Sequence, residues 1–239
     1  MPQNPAPTRR SKRGDTPHER LRIVALAAFS CISRTGFKRT QMADVAEAAD
    51  LSPAALYSYA SGKDALLTLA FLHATGQALP DTPLPVKPMP MDEMVKRSEE
   101  IVGRTAHWPL LEASIKADAP PDIETLRAIG GEVYDVLAIN KRAIWLIDRL
   151  SLEVPEMAKL QAERVHGAFL RLLIALISKW RAPGIVPDVA ARNAVEMMAW
   201  PAMHRHRDAW LQPAATEEEI RETAIRQYAA LLAASIQAV

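Results

Sequence analysis

The chain has 239 residues, of which 49% are apolar, so it can bury one or two cores, and disorder throughout is excluded. Its single cysteine, Cys31, excludes an internal disulfide framework and favours a reducing compartment such as the cytoplasm. The net charge of +1 is unevenly spread, because residues 1–65 hold ten Lys and Arg against six Asp and Glu. This basic front favours a polyanionic partner, although such an excess is also common on solvated surfaces.

The first residues of the chain are predicted to form an arm followed by a helix. Residues 1–18 combine prolines and basic residues without apolar periodicity, which predicts a mobile arm. From Glu19 onward, apolar residues recur at three- and four-residue steps until Gly36, a typical helix stop. We therefore expect the first helix between these two residues. The N-terminus has no apolar signal region, so secretion is not predicted.

Three further helix starts follow within a short span. We predict a second helix capped by Thr40 and a third capped by Ser52, with Pro53 at its first position. A fourth helix is predicted to begin after Ser61, with Asp64 completing a capping box. Five of the eleven residues from 80 to 90 are proline, which predicts a connection after the fourth helix.

Helical periodicity continues to the end of the chain. No segment alternates apolar and polar residues for long, so the chain is predicted to be all-α. Gly130 and Gly131 predict a bend or break in one helix. The most hydrophobic run is short and interrupted by Arg171, so no membrane span is expected. The six later helices are predicted near residues 92–107, 109–118, 122–150, 155–181, 188–209 and 217–237.

The second and third helices are separated by a turn of about three residues around Asp50, which is the spacing of a helix-turn-helix. Such a turn requires one residue with a left-handed backbone, and aspartate tolerates that conformation. An ordinary helical corner would explain this spacing equally well.

The third helix has one apolar face and one small, polar face. Leu56 and Ala60 are four residues apart and are predicted to face inward. Small side chains would let the outer face approach base edges in a major groove, and a tyrosine hydroxyl there can donate to phosphate. The residues expected to point outward are Pro53, Ala54, Tyr57 and Ser58.

The segment from Glu19 to Leu66 resembles the DNA-binding domain of tetracycline-repressor-like (TetR/AcrR) transcriptional regulators. In that family the most specific run is roughly IAxxAGVSxGxLYxYFxSKxxL, and here it stands as VAEAADLSPAALYSYASGKDAL. Three departures are Asp50 for glycine, Ala60 for phenylalanine and Gly62 for serine. Loss of the phenylalanine requires the small core to repack.

The resemblance implies a set of DNA contacts. Backbone contacts are expected from Thr40, Gln41, Tyr57, Tyr59 and Lys63. The residues expected nearest the bases are Pro53, Ala54, Ala55 and Ser58, with Ser52 at the start of the same helix. The basic residues of the arm, which would reach a minor groove or remain a solvated tail, are Arg9, Arg10, Lys12 and Arg13.

By the same resemblance, the chain divides into an arm (1–18), a three-helix helix-turn-helix domain (19–66) and a helical ligand-binding and dimerisation domain (67–239). The last two long helices, near 188–209 and 217–237, would form a homodimer suited to palindromic operator DNA. An amphipathic helix packed within its own chain would look identical. The residues proposed to line an effector pocket are His107, Trp108, Leu111, Tyr134, Leu137, Trp145 and Phe169.

An enzyme is the less favoured interpretation, because the sequence lacks HExxH, paired CxxC, GxSxG and a phosphate-binding glycine loop. We therefore predict no catalytic residue, metal or cofactor. The sequence favours a cytoplasmic, ligand-responsive regulator, with repression as the expected mode. The alternative is a helical small-molecule-binding or stress protein that does not recognise a DNA sequence.

Overall fold

A computed structural model describes residues 16–81 and 84–237, so the predicted arm lies mostly outside the described residues, including Arg9, Arg10, Lys12 and Arg13. The all-α prediction is confirmed, because the regular elements of the described residues are all helical. The α-helices are α1 (Pro17–Thr35), α2 (Met42–Ala48), α3 (Pro53–Leu56), α4 (Lys63–Ala74), α5 (Met91–Thr105), α6 (Pro109–Lys116), α7 (Ile123–Ser151), α8 (Pro155–Leu160), α9 (His166–Trp180), α10 (Pro187–Ala202) and α11 (Glu217–Ser235).

The chain forms two compact units. The head unit comprises residues Met1–Met94 together with Trp145–Pro155, and the second unit comprises Val95–Ile144 with Glu156–Val239. The helix-turn-helix segment is thus part of a larger compact unit that extends past α4 and includes the end of α7.

The first helix begins and ends for local chemical reasons. The Thr16 backbone N–H donates to Glu19 Oε2 at 2.7 Å, and the Glu19 N–H donates to Thr16 Oγ1 at 3.2 Å. This capping box starts α1 at Pro17, two residues before the predicted start. The helix stops at Thr35 because Gly36 adopts a φ of 96°, which confirms the predicted stop.

Two predicted helix caps are wrong. Gln41, not Thr40, is the N-cap of α2, and its backbone N–H donates to Asp44 Oδ2 at 2.8 Å. Thr40 is turned inward, since its hydroxyl donates to the carbonyl of Gly36 at 2.7 Å. At α4 the N-cap is Gly62 without a side-chain hydrogen bond, so the predicted capping box from Ser61 does not form.

The head core is built mainly from α1 packed on α4. Cys31 is buried there, and burial raises the pKa of its thiol, so it stays protonated. Ala60 is also buried, where the family pattern has phenylalanine. A backbone bridge pairs Ala60 with the buried Val86, and the Ser61 N–H donates to the Val86 carbonyl at 3.0 Å. The proline-rich connection therefore places the apolar side chain of Val86 next to Ala60, where the family pattern has a phenylalanine ring.

In the second unit, α9 packs on α6 and α10, and α10 packs on α11. Helix α7 is continuous across its two glycines, so the predicted break is wrong, and the bend stays a prediction. A Cβ added at Gly130 would lie 3.2 Å from Tyr228 Cδ1, and one at Gly131 would lie 3.3 Å from Arg221 Nη2. The glycines therefore allow close packing of α7 against α11.

Two other predicted helices differ in their boundaries. The predicted helix at 155–181 contains a π-helical turn, Gln161–Val165, between α8 and α9. The helix predicted to reach residue 209 ends at Ala202, and a 3-10 turn follows. The buried Arg205 of that turn donates from Nε to the carbonyl of Pro201 at 2.6 Å, which satisfies a carbonyl of the last turn of α10.

The apolar stripes of the two helices that we expected to form the dimer lie inside the chain. Val195, Met198 and Ala202 of α10 are buried, as are Ile220, Tyr228 and Leu232 of α11, and only Leu231 is partly exposed. These stripes pack the helices of one chain. Trp210, which follows the 3-10 turn after α10, is 98% exposed.

Replacing Tyr228 with phenylalanine is expected to leave the free energy of unfolding unchanged or raise it by about 1 kcal/mol. The Tyr228 hydroxyl is fully buried, and no hydrogen-bond partner for it occurs among residues 16–81 and 84–237. Burial accordingly raises the pKa of Tyr228 well above its usual range. Urea unfolding of both proteins measures the change. A loss of more than about 1 kcal/mol would mean that a buried water or another group satisfies the hydroxyl.

Candidate nucleic-acid interface

The turn between α2 and α3 has the predicted conformation. Asp50 adopts a φ of 54°, which confirms the left-handed residue expected there. The N–H of Leu51 donates to the carbonyl of Ala46 at 2.9 Å and closes the bend. Val45 and Ala46 on one side and Leu56 on the other are buried beneath it. The two helices are thus held at a fixed angle by a small apolar core.

Helix α3 is short and strongly capped. The Ser52 side chain accepts a hydrogen bond from the Ala55 N–H at 3.1 Å, with Pro53 as the first helical residue, as predicted. The regular helix ends at Leu56, and the chain continues in turns through Tyr59, whose N–H donates to the Leu56 carbonyl at 2.9 Å. The cap and these turns fix the backbone that carries the outward side chains.

The predicted division between inner and outer faces is confirmed. Leu56 and Ala60 are fully buried, whereas Tyr57 is 50% exposed. Ala55 and Tyr59 are half-buried at the edge of the face. The exposed positions of this face are Ser52, Pro53, Ala54, Tyr57 and Ser58. The face is therefore narrow, free of charge and rich in small side chains, as close approach to base edges requires.

The remaining candidates lie around the loop between α1 and α2. Gln41 is exposed at the start of α2. The amino group of Lys63 donates to the Lys38 carbonyl at 2.9 Å and lies 5.0 Å from the centre of the Phe37 ring. The buried hydroxyl of Thr40 shapes the loop from inside. DNA contact by these residues stays a prediction, and Thr40 and Lys63 already have a structural role.

Comparison with known proteins identifies this head. Residues 26–70 match the sequence model described as bacterial regulatory proteins, tetR family. Over that segment the head of this chain is similar to this family. The match covers α2, α3, most of α1 and the first part of α4, so it includes the exposed face of the TetR-type head. A search of curated proteins found no match to the sequence.

Solved TetR-like structures resemble the chain along its length, at low identity. The ketosteroid transcriptional regulator KstR2 of Mycobacterium tuberculosis is 13% identical, with a TM-score of 0.47, and the alignment covers 93% of this chain and 97% of KstR2. The fatty acid degradation regulator FadR of Bacillus halodurans is 14% identical (TM-score 0.42; 92% and 96% covered). AibR, solved with isovaleryl coenzyme A and operator DNA, is 18% identical (TM-score 0.45; 87% and 97% covered). The similarity to the family rests on the sequence match at residues 26–70.

In the second unit, two members of the predicted pocket set are in contact, and two more are buried. The rings of Trp108 and Phe169 are both buried, with centroids 4.4 Å apart and planes at 40°. Leu111 is fully buried and Tyr134 is 5% exposed. The guanidinium of Arg221 lies 5.9 Å from the centre of the Tyr134 ring. Aromatic rings from α6, α7 and α9 thus contribute to the core of this unit.

Three members of the predicted set are placed differently. His107 is exposed and Leu137 is half-buried. Trp145 falls in the segment that belongs to the head unit. The effector hypothesis therefore rests on the Trp108 and Phe169 pair.

A carboxylate near this pair was missed by the sequence analysis. Glu132 Oε1 accepts a hydrogen bond from the Leu110 N–H at 3.3 Å, and Trp108 is the N-cap of the same helix, α6. Glu132 Oε2 is buried, and it has no hydrogen-bond partner within the described part of the chain. Burial raises the pKa of Glu132. Its position on the inner side of α7 gave no distinct sequence signal, because single carboxylates are common on amphipathic helices.

Within residues 16–81 and 84–237, no group of three or more His, Cys, Asp and Glu side chains is arranged to hold a metal ion. None of the helices in those ranges combines the length and apolarity needed to cross a membrane.

Proposed function

We propose that this chain is a TetR-family transcriptional regulator that binds palindromic operator DNA through the exposed face of α3 and is released by a small effector, which makes it a repressor. The observation that carries the proposal is the uncharged, small-residue face around Tyr57, held by a capped turn within the segment that matches the family. An operator and its regulator share a compartment, so we place the protein in the cytoplasm.

The head offers two kinds of contact to a duplex. Ala54 and Ser58 carry short exposed side chains that can approach base edges and thymine methyl groups. The Tyr57 hydroxyl and the Gln41 side chain at the start of α2 can donate to phosphate oxygens on either side. Base contacts would then specify sequence, and the flanking contacts would set register.

Two heads on one palindrome require a two-fold dimer, and we place its interface on the outer faces of α10 and α11. The inner stripes of these helices are buried within the chain, but their outer faces line an open groove of about 960 Å³. Met197 and Trp200 of α10 and Thr223 and Gln227 of α11 lie in it. An isologous contact would place this groove against the same groove of the second chain.

The effector is proposed to be apolar or amphipathic and to act in the second unit, near Trp108 and Phe169. Two buried rings in tilted contact suit an apolar body, and Glu132 offers one unpaired buried carboxylate oxygen for a donor group. Release requires the effector to bind the DNA-incompetent state more tightly than the DNA-bound state.

The first test is selection of duplexes from a random library by the purified full chain, followed by fluorescence anisotropy at several salt concentrations. A selected duplex should bind at least about a thousandfold more tightly than random DNA, with two chains per duplex. Equal, weak binding to all duplexes would instead support the helical binding protein without sequence recognition.

Replacing Tyr57 with phenylalanine is expected to weaken binding to the selected duplex about tenfold, because a hydroxyl bond to a charged phosphate is lost. The Tyr57 side chain is half exposed, so the fold should tolerate the change. Tyr228 to phenylalanine is the matched control, since it removes a buried hydroxyl from the second unit and should leave DNA affinity unchanged. If the two variants bound the selected duplex with equal affinity, the Tyr57 hydroxyl would not be a DNA contact.

A further inference from the structure

The head unit contains a segment that is distant in sequence, Trp145–Pro155, from the end of α7 and the connection to α8. Two charged side chains of this segment reach the end of α1 and the loop of residues 36–41 that follows it, called here the α1–α2 loop. These two residues, Arg149 and Glu153, lie outside the matched segment at residues 26–70.

Arg149 acts at the end of α1. Its Nη2 donates to the Thr35 carbonyl at 2.7 Å, and the side chain is 29% exposed. Thr35 is the last residue of α1, where carbonyl groups lack partners within the helix. A guanidinium at that position satisfies one of these carbonyls and complements the negative end of the helix dipole.

Glu153 acts on the loop itself. Its Oε2 accepts a hydrogen bond from the Lys38 N–H at 2.8 Å, and its side chain is 12% exposed. The Oε1 atom lies 3.9 Å from Arg149 Nη2, so the two residues also form an ion pair. On the other side of the same residue, Lys63 Nζ donates to the Lys38 carbonyl at 2.9 Å. Both backbone polar groups of Lys38 are thus bound by side chains from outside the loop.

Gly36 makes this close approach possible. A Cβ at Gly36 would overlap Glu153 Oε1 and would lie 2.8 Å from Arg149 Nη2. The glycine therefore serves the contact with Arg149 and Glu153 as well as the end of α1.

We propose that Arg149 and Glu153 are positioning residues for DNA binding, which fix the α1–α2 loop and with it Gln41 at the start of α2. This inference rests on the proposed function. A loop that is already ordered loses less conformational freedom when it meets the duplex, so DNA affinity should depend on this contact. Neither residue need touch DNA for this effect.

The test compares Glu153→Ala with Glu153→Gln in the full chain. The amide of Lys38 should exchange its hydrogen at least about tenfold faster in Glu153→Ala, because its charge-assisted bond is lost. Binding to the duplex selected by the wild-type chain should weaken about tenfold. Glu153→Gln keeps an acceptor oxygen and should retain most of both properties. Glu47→Ala is the control, because it removes an exposed carboxylate of the head from α2.

The two variants separate positioning from charge. If Glu153 acted through its charge alone, both variants would bind DNA equally, and more tightly than the wild-type chain, which would overturn the proposal. Unchanged Lys38 exchange and unchanged affinity in Glu153→Ala would also overturn it. If Glu153→Ala does not fold, the test rests on Glu153→Gln. In that variant the Lys38 amide must remain protected from hydrogen exchange, and loss of this protection would overturn the proposal. If the wild-type chain selects no duplex, the proposed function fails, and Lys38 exchange still tests the contact.

Discussion

Replacing Gly36 with alanine is expected to destabilise the head unit by about 2–5 kcal/mol and to abolish measurable binding to the selected duplex. Two effects add at this position. Its φ of 96° is strained for any residue with a Cβ, and the new methyl group would overlap Glu153 Oε1. Relief of the overlap requires Glu153 to leave the Lys38 N–H, so loop order is lost together with stability. Urea unfolding and anisotropy on the same preparation measure both effects.

Gly76 provides the matched control in the same head unit. It also has a positive φ, 67°, but no atom lies within 4 Å of the position that its Cβ would occupy. Gly76→Ala should therefore cost only about 1 kcal/mol and leave DNA affinity intact. If Gly36→Ala and Gly76→Ala lost equal amounts of stability and of DNA affinity, Glu153 would be able to move away from the new methyl group without affecting either property.

Local chemistry explains why much of the head could be predicted from the sequence. The left-handed turn at Asp50, the cap at Ser52 and the stop at Gly36 each depend on residues within a few positions. The outer face of α3 followed from helical periodicity, which also places Leu56 in the core. The resemblance to the family then gave these elements a function.

The caps at Thr40 and Ser61 failed because each residue is held by another partner, a local one for Thr40 and a distant one for Ser61. Thr40 has the chemistry of a cap, but its hydroxyl is used inside the head, by the Gly36 carbonyl. Ser61 is held at its backbone by Val86, from the proline-rich connection. Propensity describes what a side chain can do, whereas packing against distant segments decides what it does.

Contacts between distant positions left no sequence signal that we could use. Glu153 and Lys38 are 115 positions apart, and nothing in either neighbourhood indicates the other. The apolar face of α10 that includes Met198 presents a related difficulty. Such a face predicts that its side chains are buried, but it does not show which helix covers them. The predicted pocket set had the same weakness, and Trp145 fell in the other unit.

The π-helical turn before α9 has a functional implication for the second unit. The His166 N–H donates to the carbonyl of Gln161, five residues earlier, which widens the helix at that turn. Phe169 follows three residues later and meets Trp108. The direction in which Phe169 points therefore depends on the π turn, and so does the proposed effector region.

Replacing Gly167 with alanine is expected to destabilise the second unit by about 3 kcal/mol, because its Cβ would overlap the carbonyl oxygen of Ala162 in the π turn. If the turn tightens instead, Phe169 rotates away from Trp108, and the near-ultraviolet circular dichroism of the tryptophan should change. Gly103→Ala in α5 is the control, since no atom lies within 4 Å of its Cβ position and alanine favours the helix by up to about 1 kcal/mol. The two substitutions should thus move the unfolding free energy in opposite directions. The contrary result would be a Gly167→Ala variant that is as stable as the Gly103→Ala variant and has an unchanged spectrum. It would mean that residues 161–167 do not form a π-helical turn.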